Sequence, residues 1–258
     1  MKLALLQMDI AYGDAKKNQD EISKYFSNLS HHVNTVVLPE MWNVGYDLRR
    51  LDEIGDFEGR VTQEFLSNLA NKYTVNIVGG SIAKIDERGY SNTMYVIDHS
   101  GNLITEYGKA HLFLLMDEKK YLVEGNSRGG FELDSVPSAG VICYDIRFPE
   151  WIRTHVLEGA QVIYVVAQWP KPRIDHWRTL LIARAIENQC FVVACNRVGK
   201  DPNNEFGGHS MVINPWGEVL CEASSDEKIL TATIDLTQVE QARKHIPIFE
   251  DRREDLYK

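Results

Sequence analysis

The stretch "SAGVICYDIRFPEWIRTHVLEGAQVIYVVAQ", residues 138–168, sets two apolar runs on either side of a segment with a different pattern. "SAGVIC" and "QVIYVVA" are short, rich in β-branched residues and free of charge, as buried strands are. Between them, Pro149 fits a first helical turn, which can do without an N–H, and Gly159 fits the position just past a last turn. That spacing predicts a helix beginning near Pro149 and ending before Gly159. Cys143 closes the first strand and meets the aromatic, acidic and basic residues of "YDIRFPEW" at once. Two readings are open for it: a small buried hydrophobe, as free cysteines commonly are, or a nucleophile held at a strand end.

The same switch between strand and helix patterns runs through the rest of the chain. "KLALLQ" at 2–7 and "NTVVLP" at 34–39 read as buried strands. Between them Ile22, Tyr25, Phe26 and Leu29 have the i, i+3, i+4, i+7 spacing of one helix face. A second stripe through Val61, Phe65, Leu66 and Leu69 leads into "VNIVGGSI"; "SNTMYVID", the turn "HSGN" and "LITEYG" then read as a β-hairpin. "DHWRTLLIARAIENQ" predicts a third long helix and "CFVVACN" the strand after it, with Cys190 and Cys195 as core residues. "HSMVINPWGEVLCEAS" and "KILTATID" supply a hairpin and a closing strand, and Thr237 with Glu240 has capping-box spacing ahead of a last short helix. Strands and hairpins alternating with helices predict an α/β domain in which sheets pack on each other and helices cover the outside. No linker, repeat or low-complexity segment divides residues 1–258, so one domain is expected. In the third helix Trp177, Leu180, Leu181 and Ala185 form one stripe, whereas Ile182 and Ile186 stand on another side. Such a helix is covered from two directions, by a second subunit or by an insertion of the same chain.

Composition narrows the function classes. A chain of 258 residues, 44% hydrophobic and 25% charged, has the makeup of a globular protein with a large core. Its apolar runs fall far short of the ~20 residues a membrane-spanning helix needs, and no signal-peptide pattern follows "MKLALLQMD", where Gln7 and Asp9 interrupt the run. A cytoplasmic protein without membrane partners is expected. The 4 cysteines show no metal-ligand spacing and read as free thiols of a reducing compartment. A net charge of −9 with scattered basic residues argues against nucleic acid, whose phosphates call for a clustered basic surface.

Three apolar runs end in a residue that a covalent hydrolase can use: "TVVLPE" in Glu40, "LITEYGK" in Lys109 and "SAGVIC" in Cys143. Strand ends offer a rigid scaffold beside a variable loop, which is where α/β folds place sites. A thiol needs help to ionise at neutral pH. Glu40 is placed to take that proton and return it to a departing amine. Lys109 and the backbone N–H of Tyr144 are placed to hold an oxyanion, and the helix after Cys143 is expected to favour the thiolate. Each residue alone has an ordinary structural reading; the combination points to chemistry. A Cys–His pair would need His111, His155, His176 or His209, none of which has a neighbourhood suggesting that role.

"LPEMW" around Glu40, "YGKAHLF" around Lys109 and "CYDIRFPEW" around Cys143 resemble, in that order, the three signatures of the nitrilase superfamily, carbon–nitrogen hydrolases with a Glu–Lys–Cys triad. The resemblance extends from "LALLQMD" to "DRREDLY". It implies a four-layer α-β-β-α sandwich and a homodimer joined through helices, with the tail at 237–258 contributing; the mechanism requires no metal or organic cofactor. It further implies a second glutamate in the loop after the lysine. Glu118 in "MDEKKYLVEGN" takes that position, to orient Lys109 and assist substrate positioning, and Glu124 is the next acid along.

Within the superfamily, "QWPKPRIDHWRTLLIARAIENQ" and "CNRVG" resemble the omega-amidase group, which cleaves the terminal amide of 2-oxoglutaramate and 2-oxosuccinamate. A keto-acid end needs a cation in the pocket. Arg173 and Lys171 are the candidates, since an Arg fork matches a carboxylate, and Arg147 competes with them unless it pairs with Asp145 or Glu150. Trp169 and Phe113 are candidate walls. The expected partners are therefore a small-molecule amide and water. Nitrile and N-carbamoyl amino acid hydrolysis use the same triad and stay open as alternatives. A non-catalytic binding subunit of this fold would be expected to lack one of the three residues, and a redox protein would need Cys190 or Cys195 to approach Cys143.

Overall fold

In the computed structural model, which describes residues 1–30 and 32–257, strand β1 (Lys2–Gln7) shares its side chains between two cores. Leu3 and Leu5 belong to the cluster formed with a second sheet, whereas Ala4 and Leu6 belong to the cluster beneath helices. A strand turns successive side chains to opposite faces, so one apolar run serves both. β1 pairs in parallel with β2 (Thr35–Val37) and antiparallel with β13 (Lys228–Thr233). The sheet continues through β4 (Asn76–Asp86), β5 (Gly89–Ile97) and β6 (Leu103–Gly108), with β3 (Asp56–Phe57) alongside β4. Helices α1 (Ala15–Ser27) and α3 (Arg60–Tyr73) cover its outer face through Ile22, Phe26, Leu66 and Leu69, and the short α2 (Leu51–Ile54) lies between β2 and β3 in the chain.

The second sheet runs β12 (Val219–Glu222), β11 (Met211–Ile213), β10 (Phe191–Asn196), β9 (Val162–Ala167), β8 (Val136–Ile142), β7 (Gly130–Leu133). Val141, Val165 and Val193 share the central cluster with Leu5, Val37 and Val78 of the first sheet. Helices α5 (Pro149–Leu157) and α6 (Ile174–Asn188) supply Ile152, Val156, Trp177 and Leu181 to the same cluster from outside. The layers are thus helix, sheet, sheet, helix, the four-layer arrangement that the resemblance implies. The short α4 (Glu118–Tyr121) lies in the loop between β6 and β7, and α7 (Thr237–His245) follows β13. Among the described residues no helix is long and apolar enough to cross a membrane.

Several local expectations are corrected. The strand expected over 34–39 is a strand at Thr35–Val37, flanked by backbone bonds of Asn34 and Leu38, before the chain turns away to carry Glu40. Val61 is 61% exposed; the buried face of α3 is Thr62, Leu66, Leu69 and Ala70. Thr237 does not cap α7 with its side chain. Its hydroxyl and backbone N–H both donate to the Asp235 carboxylate. β3 and β7 carry too little periodic signal to have been expected. In α6 Trp177, Leu181 and Ala185 are fully buried, Ile182 is half-buried beneath the β11–β12 turn at Gly217, and Ile186 is 51% exposed.

Candidate active site

The C-terminal ends of β2 and β6 in one sheet, and of β8, β9 and β10 in the other, carry Glu40, Lys109, Cys143, Gln168 and Arg197. Glu40 lies in a turn pressed onto β4. A Cβ at Gly80 would stand 2.0 Å from the Pro39 carbonyl oxygen, and Gly80 has φ +60°, so only glycine lets this turn come so close. Ser81 holds it: its N–H donates to the Pro39 carbonyl and its hydroxyl accepts from the Met41 N–H. Cys143 has φ +46°, an uncommon left-handed conformation for a side-chain-bearing residue, at the start of a single 3-10 turn over Cys143–Arg147. An N–H in such a first turn, Tyr144's among them, has no intrahelical acceptor.

Asp145 ties the nucleophile's turn to the lysine's loop. Its buried carboxylate accepts from the Ile142 N–H at 2.9 Å, the Tyr107 hydroxyl at 2.8 Å, the His111 N–H at 3.0 Å and His111 Nδ1 at 2.7 Å. His111, stacked on Phe148, serves this clamp.

Lys109 Nζ donates to Glu40 Oε1 at 2.8 Å and to Glu118 Oε1 at 2.6 Å. Asn92 Nδ2 donates to Glu40 Oε1 at 2.8 Å and the Gln168 N–H to Glu40 Oε2 at 2.7 Å. The Phe113 N–H donates to Glu118 Oε2 at 2.6 Å. The Tyr46 hydroxyl stands 2.9 Å from Glu40 Oε1 and 2.6 Å from Glu118 Oε1. Glu40 and Glu118 are 0% exposed and Lys109 is 1% exposed, whereas Glu124 lies on the surface, so Glu118 is the acid brought to the lysine.

Burial of this depth decides the protonation states. Desolvation disfavours the charge on Lys109, but the acids that accept its hydrogen bonds, Glu118 and Glu40, outweigh that and hold the ammonium charged. Burial, reinforced by the Glu40 charge and opposed by Lys109, pushes the Cys143 thiol well above its ordinary value. The expected help from the next helix does not prevail: α5 begins only at Pro149, beyond the 3-10 turn. The resting nucleophile is therefore a thiol facing Glu40, and a base must ionise it during reaction.

Phe113, Met116, Cys143, Tyr144, Arg147, Trp169, Pro170 and Arg173 line a cavity of about 10 Å³, room for one water. The Arg147 guanidinium lies 4.7 Å from the Trp169 ring centre and 5.9 Å from that of Tyr144; Arg173 lies 5.5 Å from that of Phe113. Among the described residues neither guanidinium has a carboxylate within salt-bridge reach. Lys171 stands apart from this lining: its side chain is 57% exposed and its ammonium pairs with Glu205 at 2.8 Å. Trp169 is 3% exposed, with its indole N–H donating to the Arg173 carbonyl, so it is both core and wall.

Sequence reasoning passed over Tyr46, Asn92, Gln168 and Arg197. Gln168 and Arg197 follow apolar strands just as Glu40 and Cys143 do, and that signal could have found them. Arg197, fully buried, donates to Gln168 Oε1 at 2.9 Å and to Asp9 at 2.7 Å, holding the amide whose backbone N–H holds Glu40. Cys190 and Cys195 are fully buried, and all 4 cysteines are free.

Comparison with known proteins identifies the family. A family model described as carbon–nitrogen hydrolase matches residues 2–244. The chain is 52% identical to a 2-oxoglutaramate amidase of Bacillus subtilis (strain 168), over 99% of this chain and 98% of that one. It is 31% identical to an omega-amidase of Escherichia coli (strain K12), over 98% and 97% of the two chains. Among solved structures, a superfamily protein of Xanthomonas campestris with an arsenic adduct in its active site superposes with a TM-score of 0.92. That protein is 30% identical, and the match covers 98% of this chain and 97% of that one.

Proposed function

The chain belongs to the carbon–nitrogen hydrolase family, and from that premise we propose that it hydrolyses the terminal amide of 2-oxoglutaramate or 2-oxosuccinamate, releasing ammonia. One observation carries the substrate class: two guanidiniums without carboxylate partners among the described residues, Arg147 and Arg173, line the same cavity as the Cys143 thiol. A cationic mouth beside a nucleophile suits an amide whose far end is an anionic keto acid, because a fork-shaped cation accepts a carboxylate at two points. Lys171, neutralised by Glu205, has the weaker claim to that role.

The bonds among Glu40, Lys109 and Glu118 support the following roles. Glu40 takes the thiol proton as sulfur attacks the amide carbon. Lys109 Nζ and the Tyr144 N–H face the developing oxyanion. Glu40 returns its proton to the departing nitrogen, ammonia leaves, and a thioester remains. Water deprotonated by Glu40 then attacks the thioester, and Cys143 recovers its proton. Asn92, Gln168 and, through Gln168, Arg197 fix the base; Phe113 and Trp169 shape the mouth.

The residue set reads as one domain over 1–258, of which His31 and Lys258 lie outside the described residues. A homodimer in the cytoplasm is our reading of its state. The half-exposed Ile186 on α6 and the tail from 237 onward, including exposed Ile246 and Tyr257, would supply the contact.

Ammonia release from the two keto-amides, beside aliphatic nitriles and N-carbamoyl amino acids, tests the assignment. Rapid turnover of the keto-amides that vanishes in Cys143→Ala is expected. Cys143-dependent turnover of nitriles or carbamoyl compounds alone would overturn the substrate and keep the nucleophile.

A further inference from the structure

We infer that Glu118 carries a proton in the resting enzyme, donated to Tyr46, so that Glu40 is the only ionised carboxylate beside Lys109. The first ground is a count of hydrogens. The Tyr46 hydroxyl has one proton to give and stands within hydrogen-bond reach of two carboxylate oxygens, Glu118 Oε1 at 2.6 Å and Glu40 Oε1 at 2.9 Å. If both acids were ionised, one of those contacts would set two acceptors against each other at bonding distance. A proton on one acid removes the conflict: that acid donates to the phenol oxygen, and the phenol donates to the other.

The remaining donors say which acid holds it. Glu40 accepts from the side chains of Lys109 and Asn92 and from the Gln168 N–H. Apart from Tyr46, Glu118 accepts among the described residues from Lys109 on Oε1 and from the Phe113 N–H on Oε2, one donor to each oxygen, so that Oε1 has room for a proton directed at Tyr46, whereas Glu40 Oε1 already takes both Lys109 and Asn92. Donors that keep their own protons favour the charged form, and Glu40 has more of them. Burial also pushes the Glu118 carboxyl upward, ahead of the opposing pull of Lys109.

The second ground is charge. Glu40, Glu118 and Lys109 are all within 1% of complete burial. Two carboxylates against one ammonium would leave a net negative charge in the interior, which is costly. With Glu118 protonated the cluster is neutral at rest. It stays neutral when the Cys143 S–H bond breaks and a Glu40 O–H bond forms, since the charge only moves from oxygen to sulfur. The Glu118 proton is conserved through acylation and through thioester hydrolysis. Tyr46 and Glu118 act here as positioning residues, because they set which acid is the base.

The kinetic arm rests on the amidase reading above; the spectroscopic arm does not. Glu118→Gln mimics the protonated acid in shape and donor capacity, so it is expected to retain at least about tenfold more of kcat than Glu118→Ala, which supplies neither. Tyr46→Phe is expected to lower kcat about 10- to 100-fold at nearly constant KM, by loosening the base. In difference infrared spectra of the resting enzyme at neutral pH, wild type minus Glu118→Gln should show the carbonyl stretch of a protonated carboxylic acid, displaced in Tyr46→Phe. Loss of a carboxylate band in its place would overturn the inference whatever the substrate is. So would a fall in kcat beyond about 10³-fold in a folded Glu118→Gln enzyme whose Cys143 still alkylates.

Discussion

The buried acid–lysine cluster, which forms the floor of the site, and the mouth of the cavity lined by Cys143 are built on opposite principles. At the floor, Glu40, Lys109, Glu118 and Tyr46 are buried and joined by bonds of 2.6–2.9 Å. At the mouth, Arg147 and Arg173 lie over aromatic rings, half-buried, with no carboxylate in reach among the described residues. A satisfied charge resists movement and suits chemistry that must be repeated identically. An unsatisfied charge over a flat ring keeps its capacity for a ligand and suits selection. The two regions should therefore answer mutation in different kinetic terms.

The largest effect is expected from Cys143→Ala, which should lower ammonia release by at least about 10⁴-fold with the melting temperature nearly unchanged. Lys109→Met should also abolish turnover, but unlike the first it should destabilise the fold by about 3–5 kcal/mol, because a buried charge pair loses its cation. Urea unfolding of the two variants side by side separates these cases, and equal stabilities would show that the floor is less tightly coupled than its distances indicate. Arg173→Ala and Arg147→Ala act at the mouth. Each should raise KM for a keto-amide about 10- to 100-fold, the worth of a charged hydrogen bond, while kcat changes less than about threefold. A fall in kcat at constant KM would merge the two regions into one.

The smallest effect lies away from both. His155 is buried, donates Nδ1–H to the Trp151 carbonyl and accepts from the Gly129 N–H, and its pKa is depressed by burial. The unfolded chain therefore binds the His155 proton more readily than the folded one does. Stability from this group is present above the unfolded value near 6.5 and declines as pH falls below it. Melting curves between pH 7.5 and 5.5 should show a modest decline that is shallower in His155→Gln.

Much of this was legible in the chain. The strands that end in Glu40, Lys109 and Cys143 announce themselves by apolar runs that stop at a functional group, and the Pro149–Gly159 spacing marks α5 closely. Tyr46 and Asn92 were not legible, since each is an ordinary polar residue in its local context. Tyr46 gains meaning through Glu40, 6 positions away, and Glu118, 72 away, and Asn92 through Glu40, 52 positions away. Val61 misled because an apolar residue in the first turn of a helix can extend past the edge of the core it points toward. Thr237 misled because Asp235, two residues earlier, offers its backbone N–H a charged acceptor, against which a neutral cap competes poorly.

The division of the floor between two sheets has a further consequence. Glu40 and Lys109 extend from one sheet, Cys143 and Gln168 from the other, and they are kept in line by the apolar layer between the sheets and by the few bonds that cross it, those of Asp145 to the Lys109 loop and of Gln168 to Glu40. Turnover is thus a gauge of how the two halves of the sandwich are aligned. A shift of one sheet along the other, too slight to change any helix or strand, would already separate acid from sulfur, so the enzyme reports slippage in its own architecture before any spectroscopic signal of secondary structure does.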